Sequence, residues 1–177
     1  MAKYENNLEM ALVSEIMANG PESYRSKVID YVAHKIRNAD KGSRFEVETR
    51  QLVESVKDDP TLVEIVLSTN RDGLVGAKNG DPLGLIGYHS HENGDVWKVY
   101  RFWVNEGERG QGNCYRMTKE FLRRAREKEV KKIKMSDGGS EDVDKLINKL
   151  SNDQDELGIR VDAPNYWIYI NYASGTD

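Results

Sequence analysis

The sequence of 177 residues predicts an α/β (α+β) fold with a mixed, mostly antiparallel central sheet flanked by helices. Three features carry that expectation. Ahead of Asp40 apolar residues recur at helical spacing, the middle of the chain holds consecutive strand-like runs split by turn signals, and a strand–helix–strand crossover follows them.

Taken in order, Leu8, Leu12, Val13 and Ile16 suit a helix over Glu5–Met17, stopped by Asn19-Gly20-Pro21. A second helix follows with Ser23 as cap and Val28, Ile29, Val32 and Ile36 on one face, ending near Asn38. Residues Phe45–Val56 fit a strand or a short helix, and the helix is preferred. The compact β-branched run Leu62–Leu67 reads as a strand, and Asn70–Gly73 as a turn. Leu83–His91 and Val96–Val104 read as strands joined by the hairpin signal Asn93-Gly94-Asp95. A basic helix to about Val130, a strand Lys132–Met135, a helix Asp142–Leu150 and two strands, Ile159–Val161 and Tyr166–Ile170, complete the series. One domain over 1–177 is expected, with 1–58 a helical part and 62–172 the core that carries the sheet.

Charged residues make up 32% of the chain, above the usual quarter or so, while 38% hydrophobic residues leave enough for a core. The net charge of −4 argues against broad electrostatic binding to nucleic acid. No apolar run approaches the ~18 residues of a membrane span. A cytoplasmic protein with no membrane partner is the simplest expectation, and the single cysteine, Cys114, excludes an internal disulfide.

Chemistry concentrates in Gly107–Phe121, GERGQGNCYRMTKEF. If a strand ends at Val104 and a helix starts near Tyr115, Gly110 and Gly112 sit where the chain must turn and where side chains would obstruct an anion. Amide N–H groups at the mouth of a helix lack intrahelical partners and lie at the positive end of the dipole, which suits a pyrophosphate. A plain turn with a solvated Arg109 is the competing reading. A Walker loop is excluded because no Gly-Lys-Ser or Gly-Lys-Thr follows, and the preceding meander disfavours a dinucleotide fold.

Arg109-Gly110-Gln111-Gly112-Asn113-Cys114, between a fourth strand and a helix, resembles the signature loop of the GNAT family of CoA-dependent N-acyltransferases, Gln/Arg-x-x-Gly-x-Gly/Ala. The likeness covers about Leu62–Tyr172 and includes Phe102–Glu108 upstream, the basic helix, and the strand and helix that follow it. It implies acetyl-CoA or another acyl-CoA as co-substrate, no metal, and a small-molecule or protein amine as acceptor. By the same resemblance, Val104, Arg109, Gly110, Gln111, Gly112, Asn113 and Cys114 hold the CoA. Backbone N–H groups from Gln111 to Cys114 meet its pyrophosphate, and the end of the strand at Val104 meets the pantetheine arm and the acyl carbonyl. Family members often carry a tyrosine on the helix after the fifth strand as acid for the thiolate. Alignment puts Ile147 there, and isoleucine has no proton to give. A GNAT-fold module that has lost transfer is therefore the rival to an N-acetyltransferase.

His89 and His91, two apart in a strand, share a face, as a catalytic pair or two metal ligands would require, although a third ligand is not apparent. Histidines in hairpins are more often surface or satisfied core residues. Near a GNAT-like cleft either could accept the proton of an attacking ammonium. Tyr166 and Tyr169 are packing residues of the last strand or stand-ins for the missing acid. Cys114 reads first as a small packing residue and second as a nucleophile at a helix N-terminus. The run RRAREKEVKKIK is the solvated face of a helix, with no aromatic platform for nucleic acid, and continuation of the sheet through the last strand offers a route to a homodimer.

Overall fold

The computed structural model describes residues 8–39, 71–135 and 141–172. The chain divides into two compact units between Leu85 and Ile86. The short helix expected over Phe45–Val56 and the strand expected over Leu62–Leu67 lie outside the described residues.

In the first unit the chain opens with a strand where a helix was expected. β1, Glu9–Leu12, pairs antiparallel with β2, Arg71–Lys78, in the register Glu9↔Ala77 to Leu12↔Leu74. Helix α1, Val13–Asn19, begins only after that pairing. The backbone N–H of Leu12 donates to the Glu15 carboxylate at 3.0 Å, and the N–H of Ser14 to Asp72 at 3.2 Å, so the helix start is capped from both sides. Helix α2, Glu22–Ala39, starts on Pro21, whose carbonyl accepts from Tyr24 and Arg25, so Ser23 lies in the first turn and is not the cap. Its Val28 and Val32 are buried as the pattern predicted. Residues Arg71–Gly73, read above as turn, belong to β2, because Leu74, Val75 and Ala77 are buried and hold the strand despite its glycines. The true turn is Asn79-Gly80, with φ of 54° and 75°, the two positive values that a two-residue type I′ hairpin needs. It leads into β3, Asp81–His91, within which the two units divide.

The second unit follows the expected order closely. The turn Glu92–Gly94, with Asn93 at φ 57°, connects β3 to β4, Val96–Val104. Helix α3, Asn113–Glu127, then returns the chain to β5, Lys132–Lys134. Met117, Phe121, Leu122 and Ala125 form its buried stripe, and the Phe121 ring lies 5.2 Å from both Tyr88 and Trp97. Arg123, half exposed and paired with Glu120, fits the solvated reading of the basic run, while Arg124 pairs with Glu120 where both side chains are largely buried. Arg126 departs from that reading: it donates to the carbonyls of Leu157 and Gly158. Helices α4, Glu141–Asn152, and α5, Gln154–Leu157, precede β6, Ile159–Asp162, and β7, Trp167–Ile170. Among the described residues seven strands make one sheet, ordered β1-β2-β3-β4-β5-β7-β6, mostly antiparallel and with β4 and β5 parallel.

That one parallel pair positions the site. Register runs from Val96↔Lys132 to Lys98↔Lys134 and stops where β5 stops, while β4 continues six residues further, to Val104. Beyond Lys98 no β5 residue stands in register with β4, and a cleft lies beside its end at Phe102, Trp103 and Val104.

Candidate active site

The distal part of β4, the loop after it and the N-terminal part of α4 enclose a cleft of about 480 Å³, within the usual range for small-molecule sites. Phe102, Trp103 and Val104 supply the β4 wall, Glu108 to Gly110 and Gly112 to Tyr115 the loop and the start of α3, and Asp142, Val143, Lys145, Leu146 and Lys149 the α4 wall.

The loop is held by its own side chains. Arg109 Nε donates to the Val104 carbonyl at 3.0 Å, which ties the arginine back to the end of β4. Asn113, only 4% exposed, donates through Nδ2 to the Glu108 carbonyl at 3.0 Å and accepts at Oδ1 from Arg116 at 2.6 Å. Gln111 Nε2 reaches back to the Gly107 carbonyl at 3.1 Å. These bonds leave the backbone little choice, and two glycines absorb the result: Gly110 and Gly112 have φ of 72° and 76°, left-handed values that cost other residues about 1–2 kcal/mol. A Cβ on either would meet nothing within 4 Å. Space is therefore open in front of both glycines, at the N-terminus of α3, where amides without intrahelical partners and the helix dipole favour an anion. This is a cradle that a side chain would fill, and its donor set fits a pyrophosphate.

Cationic groups border it, each already engaged. Lys145 pairs with Glu141 at 2.6 Å, and Lys149 lies 3.7 Å from Asp153 and 4.5 Å from the centre of the Tyr115 ring. Tyr115 donates its phenol proton to Asp153. Loss of solvent, with that hydrogen bond and the Asp153 charge, pushes its pKa up to about 12. Burial, with the Asp142 carboxylate nearby, pushes the Cys114 thiol up to about 12 as well. Burial disfavours the thiolate that a nucleophile would need, so Cys114 fits the role of a small wall residue.

Of the residues picked out from sequence, Val104, Arg109, Gly110, Gly112, Asn113 and Cys114 are brought together around the cleft, whereas Gln111 is adjacent and not among its lining residues. His89 and His91 lie on β3 with parallel rings 5.8 Å apart, and His89 meets Tyr100 of β4 edge-on at 4.6 Å. Tyr166 precedes β7 with φ 54° and its hydroxyl bonds to Asp144, while Tyr169 lies under the Arg160 guanidinium. None of these four is among the cleft-lining residues. Ile147, 2% exposed, points into the core, so the face of α4 turned to the cleft runs instead through Val143, Leu146 and Lys149. Tyr115 and that α4 stripe were missed from sequence; the spacing of Asp142, Val143, Leu146 and Lys149 on one helical face was the available signal.

A family model described as the Acetyltransferase (GNAT) family matches residues 33–145, more than half of the chain. Among solved structures, Tetrahymena GCN5 is similar at 15% identity over 86% of this chain and 79% of that one, with a TM-score of 0.50. An acetyltransferase of the GNAT family from Staphylococcus aureus Mu50 is similar at 14% identity over 92% and 99%, with a TM-score of 0.50. A probable acetyltransferase from Staphylococcus epidermidis gives 9% identity over 81% and 82%, with a TM-score of 0.52. At such identities the likeness is one of fold. No curated protein sequence matches the chain.

Proposed function

Because the chain belongs to the GNAT acetyltransferase family, we propose that it binds acetyl-CoA or a related acyl-CoA in the cleft beside β4 and transfers the acyl group to a primary amine by direct attack. The observation that carries this is the pair of left-handed glycines, Gly110 and Gly112, with open space in front of each at the mouth of α3. Amides from Gln111 to Cys114 take the pyrophosphate. The end of β4 at Val104, which lines the cleft, takes the pantetheine arm and polarises the acyl carbonyl. The amine nitrogen bonds to the acyl carbon, the carbon–sulfur bond breaks with its electron pair on sulfur, and the surplus ammonium proton passes to a base. His89, placed against Tyr100 of β4, is the first candidate for that base, and His91 the second. Most of the rate then comes from positioning and carbonyl polarisation.

A specific observation favours a second reading, a GNAT-fold module that binds CoA without transfer: the α4 face lining the cleft offers Asp142, Val143, Lys145, Leu146 and Lys149 and no tyrosine. One experiment separates the two. Calorimetry with acetyl-CoA and CoA is followed by measurement of thiol release with a panel of amines. Heat of binding together with thiol release supports the transferase. Binding without release supports the module, and no binding at about millimolar ligand removes both.

A further inference from the structure

The sheet of the second unit has two unlike faces. On one, Trp97, Ile133, Ile168, Ile159 and Ile170 are buried, with Phe121 of α3 against Trp97. The other is set by the register. Lys98 and Lys134 align, Lys134 aligns with Trp167, Lys132 with Tyr169, and Tyr169 with Arg160. Lys98, Lys132, Lys134, Trp167, Tyr169 and Arg160 therefore share one side across β4, β5, β7 and β6.

Composition does not explain that cluster, since the whole chain carries a net charge of −4. Lys98 and Arg160 are exposed, the Lys132 side chain is 34% exposed and lies 3.9 Å from the exposed Glu92 carboxylate, and Asp162 is the acid within the same rows. Trp167 and Tyr169 are half-buried, with ring centres 6.4 Å apart and planes inclined by 34°, which makes them a side-by-side pair. Cations lie over both: the Arg160 guanidinium carbon is 4.0 Å from the Tyr169 ring centre, and Lys132 and Lys134 are 5.1 and 5.6 Å from that of Trp167. Lys134 also donates to the Asn165 carbonyl.

We propose that this face of the β4-β5-β7-β6 sheet binds single-stranded nucleic acid, with bases stacked on Trp167 and Tyr169 and phosphates paired to Lys98, Lys132, Lys134 and Arg160. Flat aromatic rings interleaved with cations are what an unpaired strand requires, because each base has a π-face and each linkage a negative charge. An acidic peptide would use the cations and leave the rings idle, so the pairing of both features favours nucleic acid. The cations over the rings are long side chains, and they swing aside to the phosphates when bases take the ring faces. The arginines of the helix run Arg123–Lys128 are engaged by Glu120, Glu127 and the carbonyls near Gly158.

The test is a titration of the full chain, without CoA, into a labelled single-stranded oligouridine of about twelve nucleotides, read by anisotropy and by quenching of tryptophan fluorescence. Binding is expected at about 50 mM salt and should weaken by at least tenfold or so by about 200 mM. Trp167→Leu should weaken it about tenfold or more. Arg160→Gln, at an exposed position, should weaken it and lower the salt slope by about one phosphate contact, even if the tryptophan variant does not fold. The proposal is overturned by no binding at low salt, or by binding indifferent to both variants. It is equally overturned if polyglutamate competes as well as the oligonucleotide, which would assign the face to an acidic protein partner.

Discussion

Gly80 and Gly112 make a matched pair for testing the cradle. Their φ values are 75° and 76°, and an added Cβ meets nothing within 4 Å at either. Alanine should therefore cost the same at both, about 1–2 kcal/mol for a left-handed residue with no clash to add. For a protein of this length that is a fall in Tm of about 2–8 °C. The positions differ in what the new methyl faces: a hairpin tip at Gly80, and at Gly112 the cleft. CoA at about 100 times its Kd should add about 2.7 kcal/mol to the parent protein, a rise of about 5–11 °C. Gly80→Ala should keep that increment from its lowered baseline, and Gly112→Ala should lose it. Thermal unfolding of the three proteins with and without CoA is the whole assay. If Gly112→Ala keeps the increment, the glycine serves the turn alone and the pyrophosphate lies elsewhere.

Three further outcomes concern the second unit. Phe121→Ala removes a ring that is 1% exposed and shared between Tyr88 and Trp97, so urea unfolding should show a loss of about 3–5 kcal/mol; a loss under about 1 kcal/mol would mean that α3 is not anchored there. Cys114, with its thiol pushed up to about 12, should react with a thiol reagent near pH 8.5 about tens of times more slowly than a free cysteine, since the roughly thousandfold loss of thiolate is partly offset by its greater nucleophilicity, and an ordinary rate would contradict its placement. Because its folded value exceeds the unfolded one of about 8.5, Cys114 adds no pH dependence below that value and lowers stability as pH rises from there toward 12, a fall that Cys114→Ala should reduce.

What the sequence disclosed is what local pattern can carry. Val96–Val104, the glycine loop and α3 each combine a periodicity with a punctuating residue, and all three stand where they were expected. β1 did not, because its partner is far along the chain: Glu9 faces Ala77, and nothing near Glu9 records that pairing. Leu8, Leu12 and Ile16 satisfy helical spacing, yet the backbone of Glu9–Leu12 is claimed by β2. β2 was hidden for a second reason, since Gly73 and Gly76 read as turn punctuation when the strand is in fact stabilised by burial of Leu74, Val75 and Ala77. On α4 a one-residue step decides which side chains meet the cleft. A shift of one residue turns a helical side chain by about 100°, enough to place Ile147 in the core and Leu146 on the cleft.

The missing tyrosine on α4 weighs less against transfer than it first suggests. A thiol with a pKa of about 8.5 leaves as thiolate only ~1.5 units above neutral pH, so an absent acid concerns about 2 kcal/mol. A primary ammonium near 10.4 must lose its proton before its nitrogen can attack, and at pH 7 that demand is about 4.6 kcal/mol. For an alkyl amine of that pKa the heavier requirement falls on the amine's side of the thioester, away from the α4 wall that Val143, Leu146 and Lys149 provide, whereas an α-amine of about 7.7–8.0 asks only about 1 kcal/mol. For such an alkyl amine, acyl transfer by this cleft turns more on a base that takes the amine's proton than on an acid at the α4 wall.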